Sequence, residues 1–428
     1  MKRYDSYKDS GVEWLGSIPS HWRKSKFKFV SDLYTGNSLN DSQKLQYESE
    51  NSDDIPYVSS KDIDVEFQTV NYNNGLRIPR INNPLKISPK GSFLMVVEGG
   101  SSGRKKVYLE QDVCFVNKLC SFNSRENTKF QYYFIQSSNY QDKFKLSMSG
   151  LIGSVSISNL KDFELTLPPL SEQEQIVSFL DTKTSLIDSL IEKTQRKIEL
   201  LKEKRTSLIN EVVTKGLNPN VEMKDSGVEW IGEIPRDWKS KRFSYSINIQ
   251  KGKIPKNLTD EQLVDSLPYL SMGVLRGDEP LEFSNESGVV QVSKGDIGLL
   301  WDGSNSGEVI KINREGILSS TVSLLSLKDN TLDKEFSFYL LKFYEKDFRE
   351  NTIGMGIPHV SGDHVRESKL IIPPLPEQQQ IVEYLDEQTQ LIDNTISIEE
   401  KRIELLKEYR QSLISEVVTG KLKVTEDE

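Results

Sequence analysis

The most regular feature of the chain is a stripe of apolar residues that returns at alternating steps of three and four between 171 and 214. One line of it runs Val177, Thr184, Ile191, Ile198, Arg205 and Val212; the other runs Leu180, Ile187, Thr194, Leu201 and Leu208. The stripe recurs in 376–419 as Val382, Thr389, Ile396, Ile403, Arg410 and Val417, flanked by Leu385, Ile392, Glu399, Leu406 and Leu413. A 3–4 spacing held over about five heptads predicts a coiled-coil seam on a long helix, not a single amphipathic turn. Pro168-Pro169 and Pro373-Pro374 stop whatever precedes, and Ser171 ahead of acidic residues predicts an N-cap. Each helix would be a rod of roughly 60 Å, and its simplest partner is the other. A whole domain's length of chain separates the two, which permits antiparallel packing. Arg205 and Arg410 interrupt the seam at matching places, where an arginine fixes register or snorkels outward.

The stretches between the helices carry a different pattern. Runs such as SFLMVVEGG (92–100), KVYLEQDVCFV (106–116) and DIGLLWDG (296–303) combine β-formers with turn residues and predict strands. Each stretch closes on a short aromatic helix, KFQYYFIQSSNY (129–140) and KEFSFYLLKFYEKDF (334–348), whose rings are read as core packing.

These patterns occur twice because the chain is a tandem duplication. KDSGVEWLGSIPSHW at 8–22 matches KDSGVEWIGEIPRDW at 224–238. LPPLSEQEQIVSFLD at 167–181 matches IPPLPEQQQIVEYLD at 372–386, and KIELLKEKRTSLINEVVT at 197–214 matches RIELLKEYRQSLISEVVT at 402–419. The offset falls from 216 to 205 between the first two pairs, so the intervening stretch is 11 residues longer in the first copy (216 minus 205). Inside it, similarity fades to anchors such as IPYVS (55–59) against LPYLS (267–271) and VVEGGSSGR (96–104) against LLWDGSNSGE (300–308). A retained frame with diverged inserts predicts two domains of one fold with two different targets. The central junction EVVTKGLNPNVEMKDSGVEW would be recreated by joining the C-terminal helix to the N-terminal SGVEW segment, so the chain ends are expected side by side.

The fold expected is therefore α+β: two mixed α/β domains separated by two long antiparallel helices, in a pseudo-two-fold cyclic tandem repeat. Its parts are a repeated N-terminal segment 1–22, domain one 23–168, a central long helix 169–216, a linker 217–238, domain two 239–373, and a C-terminal helix and tail 374–428.

Composition narrows the function. A length of 428 residues with 36% hydrophobic and 28% charged residues fits globular domains with a large helical surface. No apolar run approaches the roughly 20 residues that span a bilayer, and MKRYDSYKDSGVEW has no signal core, so the cytoplasm is the expected compartment. Two cysteines and three histidines without a Cys-x-x-Cys argue against a disulfide framework or structural zinc. A net charge of −9 opposes binding of nucleic acid by the whole surface, so any such contact must come from local basic patches.

Two glycine-containing loops per domain supply candidates. YTGNSLN (34–40) offers Asn37, Ser38 and Asn40, and its counterpart QKGKIPKN (250–257) offers Lys251, Lys253 and Lys256. GGSSGRKK (99–106) offers Ser101, Ser102, Arg104, Lys105 and Lys106, opposite Asn305 and Ser306 of GSNSGEVIK (303–311). Glycine lets backbone approach a phosphate or a base edge, while Ser, Asn, Lys and Arg supply hydrogen bonds. Catalytic motifs are wanting. GGSSGRK (99–105) lacks the spacing and hydroxyl of a phosphate-binding loop, the Pro-Pro pairs are followed by Leu rather than an aromatic that could hold a flipped base, and Glu222-Met-Lys224 has no partner aspartate for a nuclease site. A coiled-coil scaffold without sequence readout is the rival class; unequal heads argue against it.

With the SGVEW segments, the LPPLSEQEQI/IPPLPEQQQI helix starts, the IELLKE…EVVT helix ends, and the turns GLIGSVSISNLKDFEL and GMGIPHVSGDHVRESKL, the chain resembles the specificity subunit of type I restriction–modification systems. The resemblance covers essentially the whole chain. It implies that each domain reads one half of a bipartite double-stranded DNA target, while the antiparallel helices fix the unread spacer. It further implies that the helices bind two methyltransferase subunits, which nuclease/translocase subunits then join. S-adenosylmethionine, ATP and Mg would be bound by those partners, and the chain itself would be non-catalytic.

Overall fold

The computed structural model describes residues 2–49, 51–66, 68–150, 153–354 and 356–424. They form two compact units. Unit 1 is Met1–Arg196 with Glu399–Glu428, and unit 2 is Lys197–Ile398. The two predicted helices are α1, Leu170–Lys215, and α2, Leu375–Val418; the border between units cuts through both, so each unit owns half of each helix.

The sheet core of unit 1 is built from eight strands: β1 Ser31–Thr35, β2 Ile55–Val58, β3 Arg77–Ile78, β4 Ile87–Ser88, β5 Phe93–Val96, β6 Lys106–Tyr108, β7 Val113–Phe115 and β8 Leu119–Ser124. They make two four-stranded sheets, in the orders β1-β8-β5-β6 and β3-β2-β7-β4. Every pairing is antiparallel except that of β2 with β7. Cross-strand partners Phe93 and Phe122 stack with centroids 4.5 Å apart, the kind of facing aromatic pair that pins a register.

Unit 2 repeats this topology strand for strand. Its members are β9 Ile247–Lys251, β10 Leu267–Leu270, β11 Phe283–Ser284, β12 Gln291–Val292, β13 Ile297–Leu300, β14 Val309–Lys311, β15 Gly316–Leu318 and β16 Val322–Leu327. The orders are β9-β16-β13-β14 and β11-β10-β15-β12, again with one parallel pairing, β10 with β15. A core that runs from Ile247 and Phe336 to Ile381 and Leu385 joins the sheet to both half-helices of the unit.

The helices pack along the predicted seam. Leu180, Thr184, Ile187, Ile191, Thr194, Ile198 and Val212 are buried in α1; Leu385, Thr389, Ile392, Ile396, Glu399, Ile403, Leu413 and Val417 are buried in α2. Val177, Leu201, Leu208, Val382 and Leu406 are half-buried. Within each unit the half-helices run antiparallel. In unit 1 Arg410 of α2 grips Asp188 of α1 through Nε (2.8 Å) and Nη2 (3.2 Å); in unit 2 Arg205 of α1 grips Asp393 of α2 through Nε (3.0 and 3.2 Å). The arginines that interrupt the apolar pattern are thus charge pairs across the helix interface.

Three local expectations need correction. Ser171 is not an N-cap, because α1 already begins at Leu170. Gln173 Nε2 donates to the Pro168 carbonyl at 2.9 Å, and Gln378 does the same to Pro373, so a glutamine inside the first turn ties down the proline pair. The aromatic segment 129–140 is not one helix but parts of two, Thr128–Phe134 and Ser138–Leu146. Ser137 breaks it by donating to the Phe134 carbonyl (2.7 Å) and capping the next helix, the backbone competition that serine offers. The segment 217–238 is not an open linker: Met223–Asp225 pairs with Glu233–Pro235, as Tyr7–Asp9 pairs with Ser17–Pro19 in unit 1. Its Glu222 pairs with Arg236 and Lys224 donates to the Trp238 carbonyl, so both have structural duties.

Each hairpin leads into a fully buried tryptophan whose indole N–H donates to the first turn of a long helix: Trp22 to Glu172 (3.2 Å), Trp238 to Glu377 (3.0 Å). In unit 1 the Lys423 amide donates to the Lys2 carbonyl at 2.8 Å, so the two ends of the described chain meet, as the duplicated junction requires. Among the described residues no helix is long and apolar enough to cross a membrane.

Candidate nucleic-acid interface

Strand register brings the candidate loops of each unit to one sheet edge. In unit 1, Thr35 lies opposite Cys120, Val96 opposite Leu119, and Lys106 opposite Met95. The connections 36–40, 97–105 and 116–118 therefore all leave the same edge of the sheet. In unit 2, Lys251 lies opposite Ser323, Leu300 opposite Val322, and Val309 opposite Leu299, so 252–257, 301–308 and 319–321 share the corresponding edge. Matching glycines open the first loop of each. A Cβ at Gly36 would stand 1.8 Å from the Phe115 carbonyl oxygen, and one at Gly252 would stand 2.2 Å from that of Ser319. Only glycine permits that approach of backbone to backbone.

In unit 1 the predicted residues divide sharply. Asn37 is half-buried and structural: its amide donates to Phe115 (2.9 Å), its Oδ1 accepts from the Lys86 amide (2.9 Å), and its carbonyl accepts from the Tyr57 hydroxyl (2.7 Å). Burial pushes that phenol up to about 12, which keeps it a neutral donor. Ser38 is exposed, and Asn40 caps the helix Asp41–Gln46 in a capping box with Gln43. The carbonyl of half-buried Ser101 accepts from the Arg104 and Lys105 amides, and Ser102 is buried. Arg104 is exposed with Nη2 on the Gly100 carbonyl (2.7 Å), while Lys105 Nζ donates to the Ser60 carbonyl (2.8 Å). Lys106 is buried, with Nζ on the carbonyls of Gly103 (3.2 Å) and Arg104 (3.5 Å).

In unit 2, Lys253 and Lys256 are exposed. The Lys256 amide donates to Glu286 (2.6 Å). Lys251 Nζ is spent on Asp302 Oδ2 at 2.7 Å. Asn305 is half-buried, with its carbonyl accepting from the Glu308 amide, and Ser306 is buried.

Register also exposes what motif reading passed over. The 116–118 turn adds Asn117 and Lys118 to the unit 1 edge, and the 319–321 turn adds Ser319, Ser320 and Thr321 to that of unit 2. A short polar turn between two β-runs was the available signal. The three unit 1 loops then carry Arg104, Lys105 and Lys118 against Glu98, a sum of +2. Those of unit 2 carry Lys253 and Lys256 against Asp302 and Glu308, a sum of 0. Both edges stand above a chain whose net charge is −9, so they are local relief from the acidic whole. They are rich in groups that hydrogen-bond phosphates and base edges. Among the described residues no group of His, Cys, Asp and Glu could hold a metal ion.

The model of the type I restriction modification DNA specificity domain matches residues 19–200 and again 235–408. The type I restriction enzyme MjaIX specificity subunit of Methanocaldococcus jannaschii is 24% identical over 445 aligned positions, covering 96% of each chain. The MjaVIII specificity subunit of the same organism is 37% identical over 189 residues; that match spans 44% of this chain and less than half, 43%, of that one. A chain from a structure described as bearing on complex assembly and conformational transition of the type I R-M system superposes with a TM-score of 0.75 at 16% identity, over 95% of this chain and 99% of that one. The crystal structure of the HsdS subunit from Thermoanaerobacter tengcongensis does so at 0.53 and 15%, over 95% and 98%. Two copies of the domain, matched over residues 19–200 and 235–408, make this chain a member of the type I restriction–modification DNA specificity family, as the specificity subunit.

Proposed function

We propose that each unit reads one half of a bipartite duplex DNA target with its sheet-edge loops, unit 1 through the surroundings of Ser38, Arg104 and Lys118, unit 2 through those of Lys253, Lys256 and Ser320. The observation that carries this reading is one strand order repeated with two unlike edges, +2 against 0 in charge. A shared frame keeps each edge in place, and different side chains on it select different sequences. The two long helices set the length of the unread spacer and offer docking surface to two methyltransferase subunits, to which nuclease/translocase subunits add. S-adenosylmethionine, ATP and Mg belong to those partners. Their surfaces supply much of the phosphate neutralisation that an acidic chain lacks.

Selection from randomised duplexes, with the chain assembled on its methyltransferase partner, tests the reading. Two unlike short sequences should be enriched at one fixed separation. Absence of enrichment, or enrichment of a single uninterrupted motif, overturns it. Methyl transfer or cleavage by the purified chain alone would overturn the assignment of chemistry to partners.

A further inference from the structure

One group on the unit 2 edge has the fixed chemistry that base reading needs. The strand His359–Val360 lies across the 301–308 loop: the Val360 amide donates to the Trp301 carbonyl (2.9 Å), and the Gly303 amide donates to Pro358 (3.0 Å). Asp302 and His359 face each other there as bridge partners. The Asp302 carboxylate is gripped from both sides, by Lys251 Nζ on Oδ2 (2.7 Å) and by His359 Nδ1 on Oδ1 (2.9 Å). Three segments of the edge thus meet in one cluster. Its aspartate side chain is 23% exposed, but the imidazole is 46% exposed.

The geometry points to His359 as a base-reading residue, its Nε2 accepting a hydrogen bond from the exocyclic amine of an adenine or cytosine; this rests on the reading of the unit 2 edge as DNA-facing. A carboxylate that receives two N–H donors is an acceptor only, so Nδ1 carries the proton. In the neutral imidazole that tautomer leaves Nε2 as the acceptor, since the tautomer is set by the bond the other nitrogen makes. In the major groove an acceptor matches adenine N6 or cytosine N4 and is mismatched to guanine, which presents N7 and O6 acceptors. Phosphate, acceptor-only, is refused by the same logic. The ring is also held in place: a Cβ at Gly354 (φ +106°) would stand 3.2 Å from His359 Cδ2 and 3.3 Å from Nε2, so the imidazole lies on bare backbone. Lys251 acts behind it as a positioning residue for Asp302, not as the DNA contact that a surface lysine suggests.

The test is the same duplex selection with three variants in the full assembly. His359→Phe keeps a ring against Gly354 and removes the acceptor; it should lose about three- to tenfold discrimination at one base pair of one half-site, the worth of a single hydrogen bond. The other half-site should be unchanged. His359→Gln, which restores an acceptor, should recover the preference. Asp302→Ala frees either tautomer and should widen that one position to admit guanine; it also stands in should the Phe variant not fold. A wild-type-like preference in His359→Phe overturns the inference alone. So does uniform weakening over all sequences with a salt slope reduced by about one, which is the signature of a phosphate contact. Failure of the wild-type chain to enrich two half-sites would instead bring down the underlying reading, and this inference with it.

Discussion

Lys106 carries an ammonium in a place that disfavours it, and this gives a pH effect of known sign. It opens β6 opposite Met95, is 5% exposed, and among the described residues meets the carbonyls of Gly103 and Arg104 as its acceptors. Burial, reinforced by the charge of Arg410, lowers its ionisation from 10.5 to about 8. Below 8 both folded and unfolded chains hold the proton, and the burial cost is constant. Between about 8 and 10.5 the unfolded chain still holds it while the folded chain has released it, so stability rises with pH. The full rise is about 3.5 kcal/mol, from a fall of roughly 2.5 in the pKa at about 1.4 kcal/mol for each pH unit. Most of it falls between pH 7 and 10. Lys106→Met fills the same slot without a charge, so the stability of wild type minus variant should grow by about 2 to 3 kcal/mol over that range. Urea unfolding of both proteins at half-unit pH steps measures it. A difference that stays flat, or falls with rising pH, refutes the argument.

Three further outcomes follow from the same contacts. A double-mutant cycle on Asp188 and Arg410, read by urea unfolding, should give a coupling of about 1 kcal/mol, discounted for partial exposure. The cycle on Asp393 and Arg205 should give less, because both members of that pair are more exposed (34% and 53% against 21% and 44%). Glu172→Ala should cost about 2 kcal/mol and Glu377→Ala about half of that by thermal denaturation. Glu172 accepts from Tyr4 (2.6 Å) and Trp22 and pairs with His21, while Glu377 accepts from Trp238. One heptad inserted after both Lys202 and Lys407 adds roughly 10 Å to each helix. In the duplex selection it should lengthen the tolerated spacer by about three base pairs with both half-sites intact; altered half-sites with an unaltered spacer would show that the helices do not set it.

Heptad periodicity and the tandem match made much of this architecture legible beforehand. The seam positions from Leu180 to Ile198 and from Leu385 to Ile403 follow from spacing alone, since burial against a parallel or antiparallel helix demands the same stripe. The loops YTGNSLN (34–40) and GGSSGRKK (99–106) were legible as glycine-containing breaks between β-runs. What stayed hidden depended on direction or on distance. Arg104, Lys105 and Lys106 read as one basic cluster, yet successive side chains at a strand's start point opposite ways, so Lys106 faces the interior. Asp302 and His359 are 57 residues apart, and only the pairing of 359–360 with the 301–303 backbone joins them. Ser171 fits the composition of an N-cap, but the proline ring one residue before Leu170 already has the backbone angle a helix entrance needs. Nothing in the sequence of 129–140 distinguishes Ser137 as a breaker from a serine on a helix surface.

The division of each helix between units also sets an order in time. Unit 2 is one unbroken stretch, Lys197–Ile398, while unit 1 is complete only when Glu399 and its successors arrive. At roughly 5–20 residues per second of synthesis, the 202 residues that separate Arg196 from Glu399 take about 10 to 40 s to make. Unit 1 begins first and finishes last. Through that interval Asp188 lacks Arg410, and the seam from Leu180 to Ile191 lacks the helix that covers it. A nascent chain stalled between residues 196 and 399 would expose that stripe to chaperones or to a neighbouring nascent copy, whereas the released chain would not.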